Sequence, residues 1–220
     1  GGGLILNKDV FSMSPGEALQ LQNFEPDIEG GYKKILGTTK FNSNIVPQVS
    51  ASTERVVFSA IFNDVVLAGR GGSIHRGSSG DGSWTSTITS LGTPTQNYEH
   101  RLFNFDGTDK IVITTGTSNP QILNTSFSTT VVDATGTSNF KFVEIFKNHI
   151  FFAGHSSNIQ EVSFMGPNQT NDFTSNNGGG TIKVDTEIVG LRTFRNSLII
   201  FGRDKIFKLT GTSSANFAVT

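Results

Sequence analysis

Cysteine is absent from all 220 residues, so neither a disulfide framework nor a thiolate metal site is open to this chain. That absence is compatible with a reducing cytosol at synthesis. Charge is sparse too: Asp, Glu, Lys and Arg make up 16% of residues, and the net charge is −1. No basic footprint for nucleic acid or an anionic membrane surface stands out. No apolar run approaches the ~18 residues that span a bilayer. Trp84, Tyr32 and Tyr98 are the whole complement of Trp and Tyr, which leaves little for a sugar-stacking surface. Phe, by contrast, occurs 19 times. It buries a large area without a polar tip to satisfy, and this points to core packing. The chain opens GGGLILNKDV, with no Met and no signal peptide, and closes on SSANFAVT within a strand-like phrase. Both ends read as cut, and a longer parent chain is expected.

What is present is a repeat. FKNHIFFAG from Phe146 and FRNSLIIFG from Phe194 share one frame: Phe, a basic residue, Asn, then an apolar run closing on Gly. FNDVVLAG from Phe62 and FDGTDKIVITTG from Phe105 echo it. The four Phe residues are 43, 41 and 48 positions apart by subtraction. Periods of roughly 40–50 residues belong to propeller-type arrays. VVLAG, IVITT, IFFAG and LIIFG are apolar at consecutive positions, the mark of a strand buried on both faces. In a two-layer sandwich most strands keep one face wet and alternate. A blade covered by a neighbour on each side gives the continuous pattern instead. The turns before these runs hold Asn, Asp, Gly or a basic residue, consistent with hairpins of positive φ. The expected fold is therefore all-β: a β-propeller-like repeat array of about four blades, near 51–94, 95–137, 138–184 and 185–220, the last incomplete. Residues 1–45 are broken by Pro15-Gly16, Pro26 and Gly30-Gly31. They read as an extended N-terminal arm with one helical turn at Glu17 to Leu21 and a strand at Tyr32 to Leu36.

Candidate chemistry is thin. His149 and His155 bracket one strand, but six residues of strand span roughly 20 Å, too far to share a metal. Together with Arg203 they are expected at the rim. Asp106-Gly107-Thr108-Asp109 resembles part of a calcium loop but lacks its later ligands, and a hairpin turn is the expected reading. SSGDGSWTS, Ser78 to Ser86, looks like a contracted Asp-box, a structural turn of propellers. Arg192, Arg195 and Arg203 raise the question of an anion clamp, yet Arg195 shares its repeat position with Lys147, which favours a rim role. The sequence nominates no catalytic residue, no cofactor site and no metal site, and an enzyme is not expected.

Three phrases carry a resemblance. NFEPDIEGGYKKILGTTKF (Asn23 to Phe41), FVEIFKNHIFFAGHSSNIQEVSFMGPNQTNDF and VGLRTFRNSLIIFGRDKIFKLTGTSSANF (Val189 to Phe217) resemble phage virion proteins of the tail tubular, or nozzle, type. The resemblance implies a β-propeller-bearing structural subunit of a phage tail or neck, assembled in a ring that extends the DNA exit channel below the portal. It implies three partners: copies of the chain itself, adjacent virion neck or tail proteins, and phage DNA passing without sequence-specific contacts. No membrane partner is implied, and the place of the protein is the virion. Within the arm, Phe24, Pro26, Tyr32, Lys33 and Lys34 are the residues expected to touch a neighbouring subunit. Two other classes predict different features. A secreted carbohydrate-binding propeller needs exposed Trp and Tyr on loops. A sialidase-like propeller hydrolase needs an Arg cluster facing a Tyr and acidic residues in the axial cleft.

Overall fold

The structure is a computed structural model. It describes residues 4, 9–14, 17–18, 22, 24–26, 32–35, 37, 40–47, 55–77, 82–88, 91, 98–133 and 139–220. The chain forms two compact units, Gly1–Phe41 and Asn42–Thr220.

In the first unit, β1 (Phe24–Pro26) pairs antiparallel with β2 (Tyr32–Lys34), matching Phe24 to Lys34, Glu25 to Lys33 and Pro26 to Tyr32. The segment expected to be an extended arm is therefore a hairpin at its centre. Pro26 sits in an edge strand, where its missing N–H costs no ladder bond. Within the stretch from Glu17 to Leu21 expected to be a helical turn, Ala18 bridges Leu4 in parallel. Residues 19–21 and 36 lie outside the described residues. A 3₁₀ turn occurs at Val10–Ser12, where the Asp9 carboxylate accepts from the Phe11 N–H at 3.3 Å.

Among the described residues the second unit holds four antiparallel sheets, each a four-stranded meander in chain order. Sheet 1 is β3 (Val56–Phe62), β4 (Val65–Arg70), β5 (Ser73–Gly77) and β6 (Trp84–Ile88). Sheet 2 is β7 (Glu99–Phe103), β8 (Lys110–Thr114), β9 (Gln121–Asn124) and β10 (Thr129–Val131). Sheet 3 is β11 (Phe142–Phe146), β12 (His149–Ala153), β13 (Glu161–Phe164) and β14 (Gly180–Lys183). Sheet 4 is β15 (Ile188–Phe194), β16 (Ser197–Gly202), β17 (Ile206–Thr210) and β18 (Ala218–Val219). The fourth sheet thus has its full set of strands, and its shortfall is the two-residue β18. The compact unit starts at Asn42, earlier than the expected boundary after residue 45. The Asn44 amide donates to the Gly82 carbonyl at 2.6 Å, and Asn42 donates to Ser83 at 3.2 Å.

Three apolar clusters fill the gaps between successive sheets. Phe58, Phe62, Leu67 and Ile74 of sheet 1 meet Ile111, Ile113 and Leu123 of sheet 2. Phe103, Val112 and Ile122 of sheet 2 meet Val143, Ile150 and Phe152 of sheet 3. Phe146, Phe151, Val162 and Phe164 of sheet 3 meet Leu191, Leu198, Ile200 and Leu209 of sheet 4. Among the described residues no cluster joins sheet 4 to sheet 1. The stack is propeller-like, and each consecutive apolar run forms the second strand of its sheet. β12 is buried along its whole length, whereas Ile199 and Phe201 of β16 are only half-buried because, among the described residues, no sheet covers their side.

The Phe frame holds at three of its four positions. Phe62, Phe146 and Phe194 each end a first strand and pair across a two-residue turn with Val65, His149 and Ser197. Asn63, Asp64, Lys147, Asn148 and Arg195 in those turns have positive φ. In sheet 2 the equivalent residue is Phe103, which pairs with Lys110 across a longer loop. Phe105 lies in that loop with its ring 4.8 Å from that of Phe103. The closing Gly of the frame reflects crowding: at Gly154 φ is +76°, and a Cβ there would lie 2.8 Å from the Phe142 ring.

Candidate functional site

The hairpin brings the expected partner-binding residues together but divides them between two faces. Side chains alternate along a strand and cross-strand partners share a side. Phe24, Tyr32 and Lys34 therefore occupy one face, while Lys33 and Glu25 occupy the other, their charges 3.6 Å apart. Phe24 and Tyr32 are 43% and 45% exposed, so the first face presents two aromatic rings and a cation to solvent. The register places Lys33 and Lys34 on opposite faces of the hairpin.

A second site, which the sequence reading did not find, lies where the first strands of sheets 2, 3 and 4 converge. Tyr98, Glu99, His100, Arg101, Lys141, Phe142 and Arg192 line a cleft of about 440 Å³ there. Glu144 of β11 is buried and accepts from the Arg101 guanidinium at 3.0 Å. Arg192 of β15 reaches Glu99 at 3.4 Å and Glu144 at 4.0 Å. Two carboxylates thus bind two guanidiniums across three sheets. His100 lies edge-on to Phe58 at 5.2 Å. Burial holds its imidazole below the ordinary histidine pKa, with the Arg101 charge adding to the effect and Glu99 opposing it. The signal was present in the repeat. Arg101, Glu144 and Arg192 each stand two residues before the Phe that ends a first strand, with Ala60 at that place in sheet 1. Aligning on Phe105 in place of Phe103 hid it.

The three arginines singled out in the sequence do not act together. Arg195 lies over the Phe194 ring at 5.3 Å, as Lys147 does over Phe146 at 5.6 Å. Arg203 pairs with Glu187. His149 is not a rim residue. It is buried, its Nδ1 donates to the Met165 carbonyl at 2.6 Å, and burial lowers its pKa. Asp106 accepts from the Thr108 N–H at 3.1 Å and from Lys110 at 2.6 Å, and Asp109 accepts from Asn104 at 2.9 Å, as in a hairpin loop. Ser79 and Asp81 of the Asp-box phrase lie outside the described residues. Trp84 opens β6 and donates to the Asn44 carbonyl at 3.1 Å.

No family model matches the sequence, and no curated protein matches it. Solved structures do match in fold. The computationally designed Ika4 protein is 11% identical at a TM-score of 0.50, over 80% of this chain and 100% of its own. BBS1N, solved in complex with ARL6DN, is 13% identical at a TM-score of 0.50, over 74% of this chain and 50% of its own. A chain of the mitotic checkpoint complex is 13% identical at a TM-score of 0.53, over 78% of this chain and 54% of its own. This chain therefore spans about half the length of the latter two. At such low identity the likeness establishes the β-propeller architecture alone.

Proposed function

We propose that this chain is a structural subunit of a phage tail or neck, one that forms a ring extending the DNA exit channel and contacts its neighbours through the N-terminal hairpin. The proposal rests on the resemblance of the Asn23 to Phe41 phrase and the two later phrases to tail tubular proteins. The observation that carries it is the hairpin face, where Phe24 and Tyr32 are exposed side by side with Lys34. A two-stranded hairpin is at best marginally stable by itself. Burying two aromatic rings against a partner supplies the apolar anchors on which interfaces depend. The near-neutral charge suits a wall along which DNA slides without being held. Among the described residues no helix is long and apolar enough to cross a membrane. The test is assembly state by light scattering. Unmodified protein should form rings, and Phe24→Asp with Tyr32→Asp should leave single subunits of unchanged melting temperature. Unimpaired assembly of that variant, or an unmodified protein that is monomeric at every concentration, overturns the proposal.

One observation favours a second reading. The axial cleft gathers Tyr98, Arg101, Arg192, Glu99 and Glu144, the residue types expected of a sialidase-like hydrolase. Against it, both guanidiniums already carry carboxylate partners, and Tyr98 is buried. An anionic sugar would have to displace Glu144 or Glu99. Hydrolysis of a fluorogenic sialoside that Arg192→Ala abolishes would establish this reading. The carbohydrate-binding reading draws less support, since Tyr32 is the one exposed Trp or Tyr among the described residues.

A further inference from the structure

Sheets 1, 2 and 3 each turn one face toward the sheet that follows, and among the described residues no sheet lies on the same face of sheet 4. The registers allow a position-by-position comparison of sheets 3 and 4. Phe146, Phe151, Ala153 and Val162 in sheet 3 correspond to Phe194, Ile199, Phe201 and Ile206 in sheet 4. Phe142 opposite Ala153 becomes Gly190 opposite Phe201, so the large and small partners are exchanged and the volume is kept. Covering decides the difference in exposure: Phe146 and Val162 are 3% and 0% exposed, whereas Phe194 and Ile206 are 62% and 68% exposed.

We infer that the free face of sheet 4 is a docking surface for a further four-stranded sheet of the same kind, with an aliphatic centre and a carboxylate opposite Arg192. The aliphatic centre follows from what the existing joints use. Ile111 and Ile113, Ile150 and Phe152, and Leu198 and Ile200 are the side chains that sheets 2, 3 and 4 press onto their predecessors. The carboxylate follows from the axial series Arg101, Glu144, Arg192, in which sign alternates from sheet to sheet and neighbours pair. Arg192 keeps half its side chain exposed. Lys208 lies in the same cross-strand row, with Ile199 between them. Two copies meeting through this face would bring those cations together, which disfavours self-pairing. The face of sheet 1 turned away from sheet 2 is no match either. It carries the small residues Ala68 and Gly77, and the Trp84 indole lies directly on Gly77. This inference concerns packing and does not depend on the phage reading.

The test extends the full chain by a second copy of residues 138–184 placed after Thr220. That copy brings Ile150, Phe152 and Glu144 to the open face. An apolar dye such as anilinonaphthalene sulfonate should lose several-fold of its fluorescence on extension. Phe194→Asp with Ile206→Asp should shift the melting temperature of the original chain by no more than about 2 °C. The same pair should lower that of the extended chain by about 8 °C or more. Arg192→Glu in the extended chain should also destabilise it, with partial rescue when the copy carries Glu144→Arg. Should that extension fold poorly, a copy of residues 185–220 bearing Arg192→Glu provides the same readouts. Equal dye binding and equal sensitivity in both chains overturn the inference. So does an original chain that is a dimer broken by Phe194→Asp, because the occupant is then a second copy.

Discussion

Glu144 joins three sheets through one carboxylate. It is buried, it meets Arg101 at 3.0 Å, and it lies within reach of Arg192. Removing one partner of a buried pair strands the other, at a cost of about 3–5 kcal/mol when burial is complete. Arg101 keeps part of its side chain in water, so Glu144→Ala should cost somewhat less, about 2–3 kcal/mol. Glu187, paired with the exposed Arg203, should cost about 1 kcal/mol or less on the same change. Urea unfolding midpoints of the two variants check the contrast. His149 gives a second test. With His75 and His100 it is held below the ordinary histidine pKa, chiefly by burial. The unfolded chain then binds more protons as pH drops through the unfolded value near ~6.5, so stability is complete above that value and is lost below it. The unfolding midpoint should fall between pH 7 and pH 5, and His149→Gln should flatten part of that slope. None of this was legible from His149 as a letter in a turn. Its burial is set by Phe151, Phe164 and Phe217, whose rings stand around it from three separate stretches of chain.

At the scale of the strand, IFFAG and IVITT are buried throughout as their composition requires, whereas Ile199 and Phe201 of LIIFG stay half-buried. IFFAG, LIIFG, VVLAG and IVITT could be read as doubly covered because they lack the polar alternation of a half-wet strand. Phe152→Asp places a carboxylate in the joint between sheets 2 and 3 and should cost several kcal/mol, while Arg203→Ala should stay within ~0.5 kcal/mol. Thermal melts of both variants report this directly. The two-residue turns were legible too, because Lys-Asn, Arg-Asn and Asn-Asp between apolar runs leave the chain little choice but a tight hairpin. The loop of sheet 2 was not. Phe105 stands before Asp-Gly, as a hairpin Phe should, and only the Glu99 to Phe103 pairing with β8 shows that the strand has already ended. Nor does the β1–β2 pairing announce itself, for three-residue strands beside Pro and Gly leave no periodicity to count.

The molecule as a whole is two units of unequal size. Deleting residues 1–41 removes the smaller one and should leave the melting temperature of the four-sheet unit within about 2 °C, as seen by circular dichroism. A fall of about 10 °C or more would make the first unit part of the fold of the second. The repeat count, and the phase of sheets 1, 3 and 4, were readable from the Phe spacing. The ion-paired axis was not, since charges 43 and 48 residues apart meet only once three sheets are stacked. One property of these sheets reaches into mechanics. Among the described residues every sheet is drawn from a single stretch of chain, and no strand crosses from one sheet into another. Stretched from its two ends, such a protein has no long-range clasp that must rupture first. It should yield as a ladder of separate events, each releasing on the order of 10 nm of chain at ~3.3–3.6 Å per residue. Sheets 1 and 4, each packed against one neighbouring sheet only among the described residues, should be the first to give way.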